Sequence, residues 1–158
     1  MTVLQEPVIS LILPLDREGI MRIIPKRPPF LFVDEIVDLE PGKSAWGFFC
    51  ADPSCGFFVG HFPGNPVMPE VLILEAICQV GAVSILSSPE FEGKIPILAG
   101  IEKAEFGRDK VVRPCDTLSM VVEKVWQRGS VGKFQGRAVV GNVIVAIAMV
   151  KFAMMDSP

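Results

Sequence analysis

Apolar and polar positions divide the chain into an opening region broken by prolines, one unbroken apolar run in the middle, and a series of strand-like runs after it. The middle run, "EVLILEAICQVGAVSIL", follows Pro69 and meets no breaker until Ser87, Ser88 and Pro89. Proline suits the first turn of a helix, where no amide hydrogen bond is forfeited, so the pattern predicts a helix of about 18 residues, roughly 27 Å long. Its only polar members are Glu70, Glu75, Gln79 and Ser84, too few for a wet face, and it is expected to be buried nearly all round. Ala76, Gly81 and Ala82 would let neighbouring elements approach it closely.

Asp16 is the expected N-cap of a short helix, Arg17 to Ile24, closed by Pro25. Phe30 to Leu39 and Ser44 to Ala51 read as paired strands around the turn "EPGK". "IPILAGIEKAEF", "TLSMVVEKVWQ", "KFQGRAVV" and "VIVAIAMVKFAMM" read as four further strands, the last two joined by a Gly141-Asn142 hairpin turn. The last run is apolar on both alternating faces: Val143, Val145, Ile147 and Met149 on one, Ile144, Ala146, Ala148 and Val150 on the other. Both faces should therefore be covered, one by the central helix and the other by a second subunit. The simplest architecture is α+β, an antiparallel sheet wrapped around a long central helix. Residues 1–15 are expected to be an arm, and residues 16–158 one domain.

Composition removes several classes of function. At 158 residues, half of them apolar, the chain can bury a sizeable core. A net charge of −3 offers no positive field for nucleic acid, and no Lys/Arg run recommends an anionic membrane. Cys50, Cys55, Cys78 and Cys115 form no CxxC pair, and the lone histidine, His61, cannot complete a familiar zinc pattern, so free thiols and no metal are expected. "VISLILPL" is too short to span a bilayer and lacks a basic leader, so neither export nor anchoring is read, and a cytoplasmic setting follows.

Chemistry concentrates in "GHFPGNPVMPEVLILEA". A lone buried carboxylate at Glu75 would be costly, so the residue must be paired, protonated or facing a cavity. An imidazole in a Pro/Gly-constrained loop, a helix N-terminus just after it and an acid a turn and a half further on are the parts needed for proton chemistry beside a carbonyl.

These residues, with "IPKRPPFLFVDEIVDLEPG" before them and "AGIEKAEFGRDKVVRPCDTL" after them, resemble the β-hydroxyacyl-acyl-carrier-protein dehydratases of bacterial fatty acid synthesis, a hot-dog-fold family. The likeness runs from about Ile20 to Met154. It implies a central helix wrapped by an antiparallel sheet, a homodimer whose sheets join, and often a trimer of such dimers. It also implies that His61 is the catalytic base, Glu75 the catalytic acid and Gln79, one turn beyond, an orienting group. Amides around Glu70 and Val71 at the helix start would hold the thioester oxygen. Glutamate rather than aspartate at the acid position favours plain dehydration over dehydration with isomerisation.

Three departures from the pattern stand out. Lys26, Arg27, Pro28, Pro29 and Phe30 replace the usual His-Arg-Tyr-Pro-Phe; the chain has no tyrosine, so an aromatic gate near Ile95 to Ile97 is missing; and Glu70 stands where glycine is usual. The expected reaction takes a (3R)-hydroxyacyl thioester, carried on the phosphopantetheine of acyl carrier protein or coenzyme A, to a trans-2-enoyl thioester, with Glu75 kept protonated by an apolar setting and with no further cofactor. Lys26, Arg27, Arg108, Lys110 and Arg113 are candidate docking charges for an acidic carrier protein. Two alternatives stay open on the sequence: an acyl-thioester binding subunit that has lost turnover through Glu70, and a thioesterase.

Overall fold

The computed structural model describes residues 12–158. Six strands form one antiparallel sheet in the order β1-β2-β4-β5-β6-β3: β1 (Glu35–Glu40), β2 (Ser44–Cys50), β3 (Lys94–Phe106), β4 (Thr117–Arg128), β5 (Val131–Val140) and β6 (Val143–Asp156). The helices are α1 (Arg17–Ile23), α2 (Phe57–Gly60) and α3 (Glu70–Leu86), with a short 3-10 turn at Pro89–Phe91. The sheet curls around α3, the arrangement that the apolar pattern and the family likeness both imply.

The apolar run makes α3 the centre of the core. Ile73, Ala76, Ile77, Val80 and Val83 are buried, and only Glu70 and Val71 of its 17 residues are exposed. Close approach is built into both partners. A Cβ at Gly81 would stand 3.1 Å from the Phe134 ring on β5, and one at Gly136 would stand 2.5 Å from Ile77 Cγ2. Met68, Ile77, Leu118, Met120 and Phe152 are almost wholly buried, and side chains of this size contribute roughly 1.5–3 kcal/mol each when removed from water.

Asp16 caps α1 as expected, its Oδ1 accepting the Gly19 amide at 2.9 Å. Of the expected arm, residues 1–11 lie outside the described residues; its last residue, Leu15, is not loose but exchanges backbone hydrogen bonds with Ile36 at 2.9 and 3.0 Å. The strand expected from Phe30 starts only at Glu35. Leu31, Phe32 and Val33 are buried, but they sit outside the ladder because the Phe32 amide is taken by a side chain on α3, and Pro29 can donate to no partner.

The simple two-face alternation of β6 also fails. A bulge pairs Ala138 with Ala146 and Val139 with Ile144, which turns Val145 inward. Ala146, Ala148, Val150 and Phe152 then face the core, while Ile144 and Ile147 lie exposed on the outer face. Strand β3 lies at the sheet edge, with Ile97, Leu98 and Ile101 exposed. Among the described residues no helix is long and apolar enough to cross a membrane.

Candidate active site

The histidine loop is a closed structure. Val67 donates its amide to His61 O at 2.7 Å, and Phe62 and Asn65 bond one another's backbone both ways at 2.9 Å. Gly64 sits between them at φ +73°, a conformation that L side chains rarely adopt. Asn65 Oδ1 accepts from Arg113 at 2.9 Å, and the Met68 amide donates to Val112 O at 2.8 Å, tying this loop to the loop before β4. Inside it the His61 ring stacks on Phe62, centroids 4.0 Å apart, with Nδ1 2.8 Å from Val67 O. A carbonyl only accepts, so Nδ1 carries the hydrogen; in the neutral ring Nε2 bears the free lone pair.

Just beyond this loop α3 begins. The amides of Leu72 and Ile73 both donate to Pro69 O, at 2.9 and 3.3 Å. The amides of Glu70 and Val71 find no acceptor among the described residues, which leaves two donors at the positive end of the helix. The Glu70 side chain is exposed at this end.

Glu75 is set differently from expectation. It is half-buried rather than buried, and Lys26 Nζ lies 3.3 Å from its Oε1. A lysine ammonium beside the carboxyl therefore replaces the wholly apolar seat, because the segment after α1 folds back across α3. Gln79 Nε2 donates to the same Oε1 at 3.0 Å and to Phe30 O at 3.1 Å, while its own Oε1 accepts the Phe32 amide at 2.8 Å. The Phe32 N–H fixes which end of the amide is which, so Gln79 must present its NH₂ to Glu75. With Gln79 donating to Oε1 and the ammonium beside that oxygen, a proton on Glu75 sits on Oε2.

Glu75, Gln79 and Lys26 line a cleft of about 280 Å³ whose other walls include Cys78, Ala82, Ile97, Leu98, Phe134 and Phe152. These walls suit an acyl chain rather than a polar ligand. Burial, and then the Glu75 carboxylate, push the Cys78 thiol up to about 12, while Lys26 pulls it down. Cys78 is therefore a neutral wall and not a nucleophile. No cluster of metal-ligating side chains occurs among the described residues, and all four cysteines are free thiols.

The expected site residues thus fall into two groups, His61 with the α3 amides and Glu75 with Gln79. His61 does not line the cleft that holds Glu75. Of the docking charges, Lys26 holds Glu75 and Arg27 donates to the carbonyls of Ile24 and Lys26 at 3.0 and 2.7 Å. Lys110 pairs with Asp116 at 3.0 Å and Arg113 braces the histidine loop, whereas Arg108 has no side-chain partner among the described residues. Two roles were missed in the sequence, Lys26 as the partner of the acid and Asn65 as the anchor of the loop. A cation flanked by Pro25 and by Pro28-Pro29 is a charge on a stiff segment, a signal that could have marked Lys26.

Residues 24–149 match the family model described as a FabA-like domain. The chain belongs to that family. It is 49% identical over 140 residues to the 3-hydroxyacyl-[acyl-carrier-protein] dehydratase FabZ of Desulforamulus reducens, covering 89% of this chain and 97% of that protein. It is also 49% identical over 142 residues to the protein of that name from Chloroflexus aggregans, covering 90% and 97%. Among solved structures it resembles the dehydratase heterocomplex ApeI:P of Xenorhabdus doucetiae, with TM-score 0.72, 11% identity and coverage of 87% of this chain and 91% of that one. The Escherichia coli PaaI protein follows the same path with TM-score 0.59 and 15% identity over 75% of this chain and 80% of that one. At those identities the likeness is one of fold, the hot-dog arrangement of sheet around helix.

Proposed function

We propose that the chain is a 3-hydroxyacyl-acyl-carrier-protein dehydratase, removing water from a thioester-linked 3-hydroxyacyl chain to leave a trans-2-enoyl thioester. One observation carries the reading: a histidine with its free nitrogen fixed by a backbone carbonyl, in a family member nearly half identical over its length to dehydratases of that name. The phosphopantetheine arm belongs to the substrate, and a cytoplasmic setting is part of this reading.

His61 Nε2 takes the α-proton, and the electrons of the broken C–H bond move toward the thioester carbonyl. The amides of Glu70 and Val71 donate to the oxygen where that charge gathers. As the enolate collapses to the C=C bond, the β C–O bond breaks and Glu75 gives its Oε2 proton to the departing hydroxyl, which leaves as water. Gln79 holds the carboxyl in register. Glu70 lies beside the oxygen with its carboxylate in solvent, where the opposing charge is screened.

Incubation with a short 3-hydroxyacyl thioester, followed by mass, tests the reading. Loss of one water is expected; loss of the acyl group would make the chain a thioesterase, and saturable binding without change a binding subunit.

Separation of His61 from the Glu75 cleft supports a site shared between two subunits, and the exposed apolar edge of β3 supplies a surface on which sheets would join. Refolding His61→Ala and Glu75→Ala chains together should restore activity. Random mixing makes half the dimers mixed, each with one doubly defective and one intact site, so about a quarter of all sites recover. Verified subunit exchange without recovery would place both groups of a site in one chain.

A further inference from the structure

The contact of Lys26 with Glu75 is the part of the site that neither the elimination scheme nor the family likeness uses. Lys26 is not a wandering surface cation. Its ammonium is held on one side by Glu75 Oε1 at 3.3 Å and on another by the Phe30 ring, 5.3 Å from the centroid. Its backbone is held as well, because Arg27 donates to the carbonyls on either side of Pro25, those of Ile24 and Lys26. The same segment is bound again at Phe30 and Phe32 through the Gln79 amide. One short stretch, residues 24–32, thereby brings the Lys26 ammonium to the same oxygen of the acid to which Gln79 donates.

We infer that Lys26 is a positioning residue for the dehydration, whose ammonium stabilises the carboxylate that appears on Glu75 as its proton leaves with the β-hydroxyl. The inference rests on the dehydratase reading. When the Oε2–H bond breaks and the proton passes to the departing oxygen, a negative charge spreads over both carboxyl oxygens. Gln79 already donates to Oε1 and the Lys26 ammonium stands 3.3 Å from it, so the charge meets groups that are already in place. Gln79 supplies a neutral donor and Lys26 the opposing charge. The role is one of charge and placement; the ammonium keeps its three protons throughout. Cys78, the other titratable group beside Glu75, is a neutral thiol and does not substitute for Lys26.

The test compares Lys26→Met and Lys26→Arg with the unmodified chain on a 3-hydroxyacyl-carrier-protein thioester, with thermal melts on all three. Methionine keeps the apolar stem and removes the charge, and arginine keeps the charge. Lys26→Met is expected to lose about tenfold in kcat with KM within about twofold, and Lys26→Arg to regain most of that loss. Equal melting temperatures are expected, since a charge contact whose ammonium is 43% exposed adds little to stability. Unchanged kcat in Lys26→Met overturns the inference, and so does a raised KM alone, which would make Lys26 a docking charge. Arginine as slow as methionine overturns it too. In each of these cases the unmodified chain still turns over, so the functional reading stands; an unmodified chain without turnover takes down both.

Discussion

His61→Ala is expected to lower the dehydration rate by about 10³-fold while the protein stays folded, measured as kcat/KM on a 3-hydroxyacyl thioester beside a thermal melt. The loss is large because the side chain is the one imidazole available, and the bond of Nδ1 to Val67 O leaves Nε2 free to take a proton. The fold should tolerate the change for separate reasons. The ring is half-exposed, stacks only on Phe62, and makes one hydrogen bond, to Val67 O, worth about 1 kcal/mol. What closes the loop is backbone: Val67 to His61, Phe62 to Asn65 in both directions, and the Arg113 bond to Asn65. Those bonds survive alanine. Near-normal turnover in this variant would remove the histidine from the mechanism, and an unfolded protein would show that the loop needs the ring.

Elements carried by a local signal were legible in the sequence. Pro69 and the unbroken run behind it set α3 within a residue of its observed span, Asp16 set the start of α1, and Gly141-Asn142 set the last hairpin. Each depends on neighbours a few residues away. The four-residue helix α2 escaped notice because so short a segment has no periodicity to read. The bulge at Val145 escaped because a register shift belongs to two strands and shows in neither alone.

The acid's surroundings illustrate the same limit at the site. Glu75 stands among Leu74, Ala76 and Ile77 in the sequence, and an apolar setting follows from those neighbours. Its actual partner is Lys26, about one third of the chain away, delivered by a proline-bound segment that leads into the stretch the apolar pattern reads as strand. Phe32 is the point where that reading fails. Its amide could have joined a ladder, but Gln79 Oε1 takes it, and the strand begins only at Glu35. A single side-chain amide on the helix thus both shortens the strand and brings Lys26 over the acid.

The same network decides what Glu75→Gln should do. Glutamine keeps the length and planarity of the side chain, and its carbonyl oxygen can accept from Lys26 and Gln79 as Oε1 does now. The amide nitrogen then stands at the place of Oε2. It can donate a hydrogen bond to the substrate hydroxyl but cannot give up its proton to a leaving group. Binding should therefore persist while the rate falls by at least about 10²-fold, read as a drop in kcat with KM little changed. Stability should hardly move, because the amide oxygen stays at the place of Oε1 and the ammonium that loses its countercharge is 43% exposed to solvent. The two observables separate the roles available to Glu75. A shifted melting temperature with full activity would make it a structural partner of Lys26, whereas lost turnover in an equally stable protein assigns the proton to it.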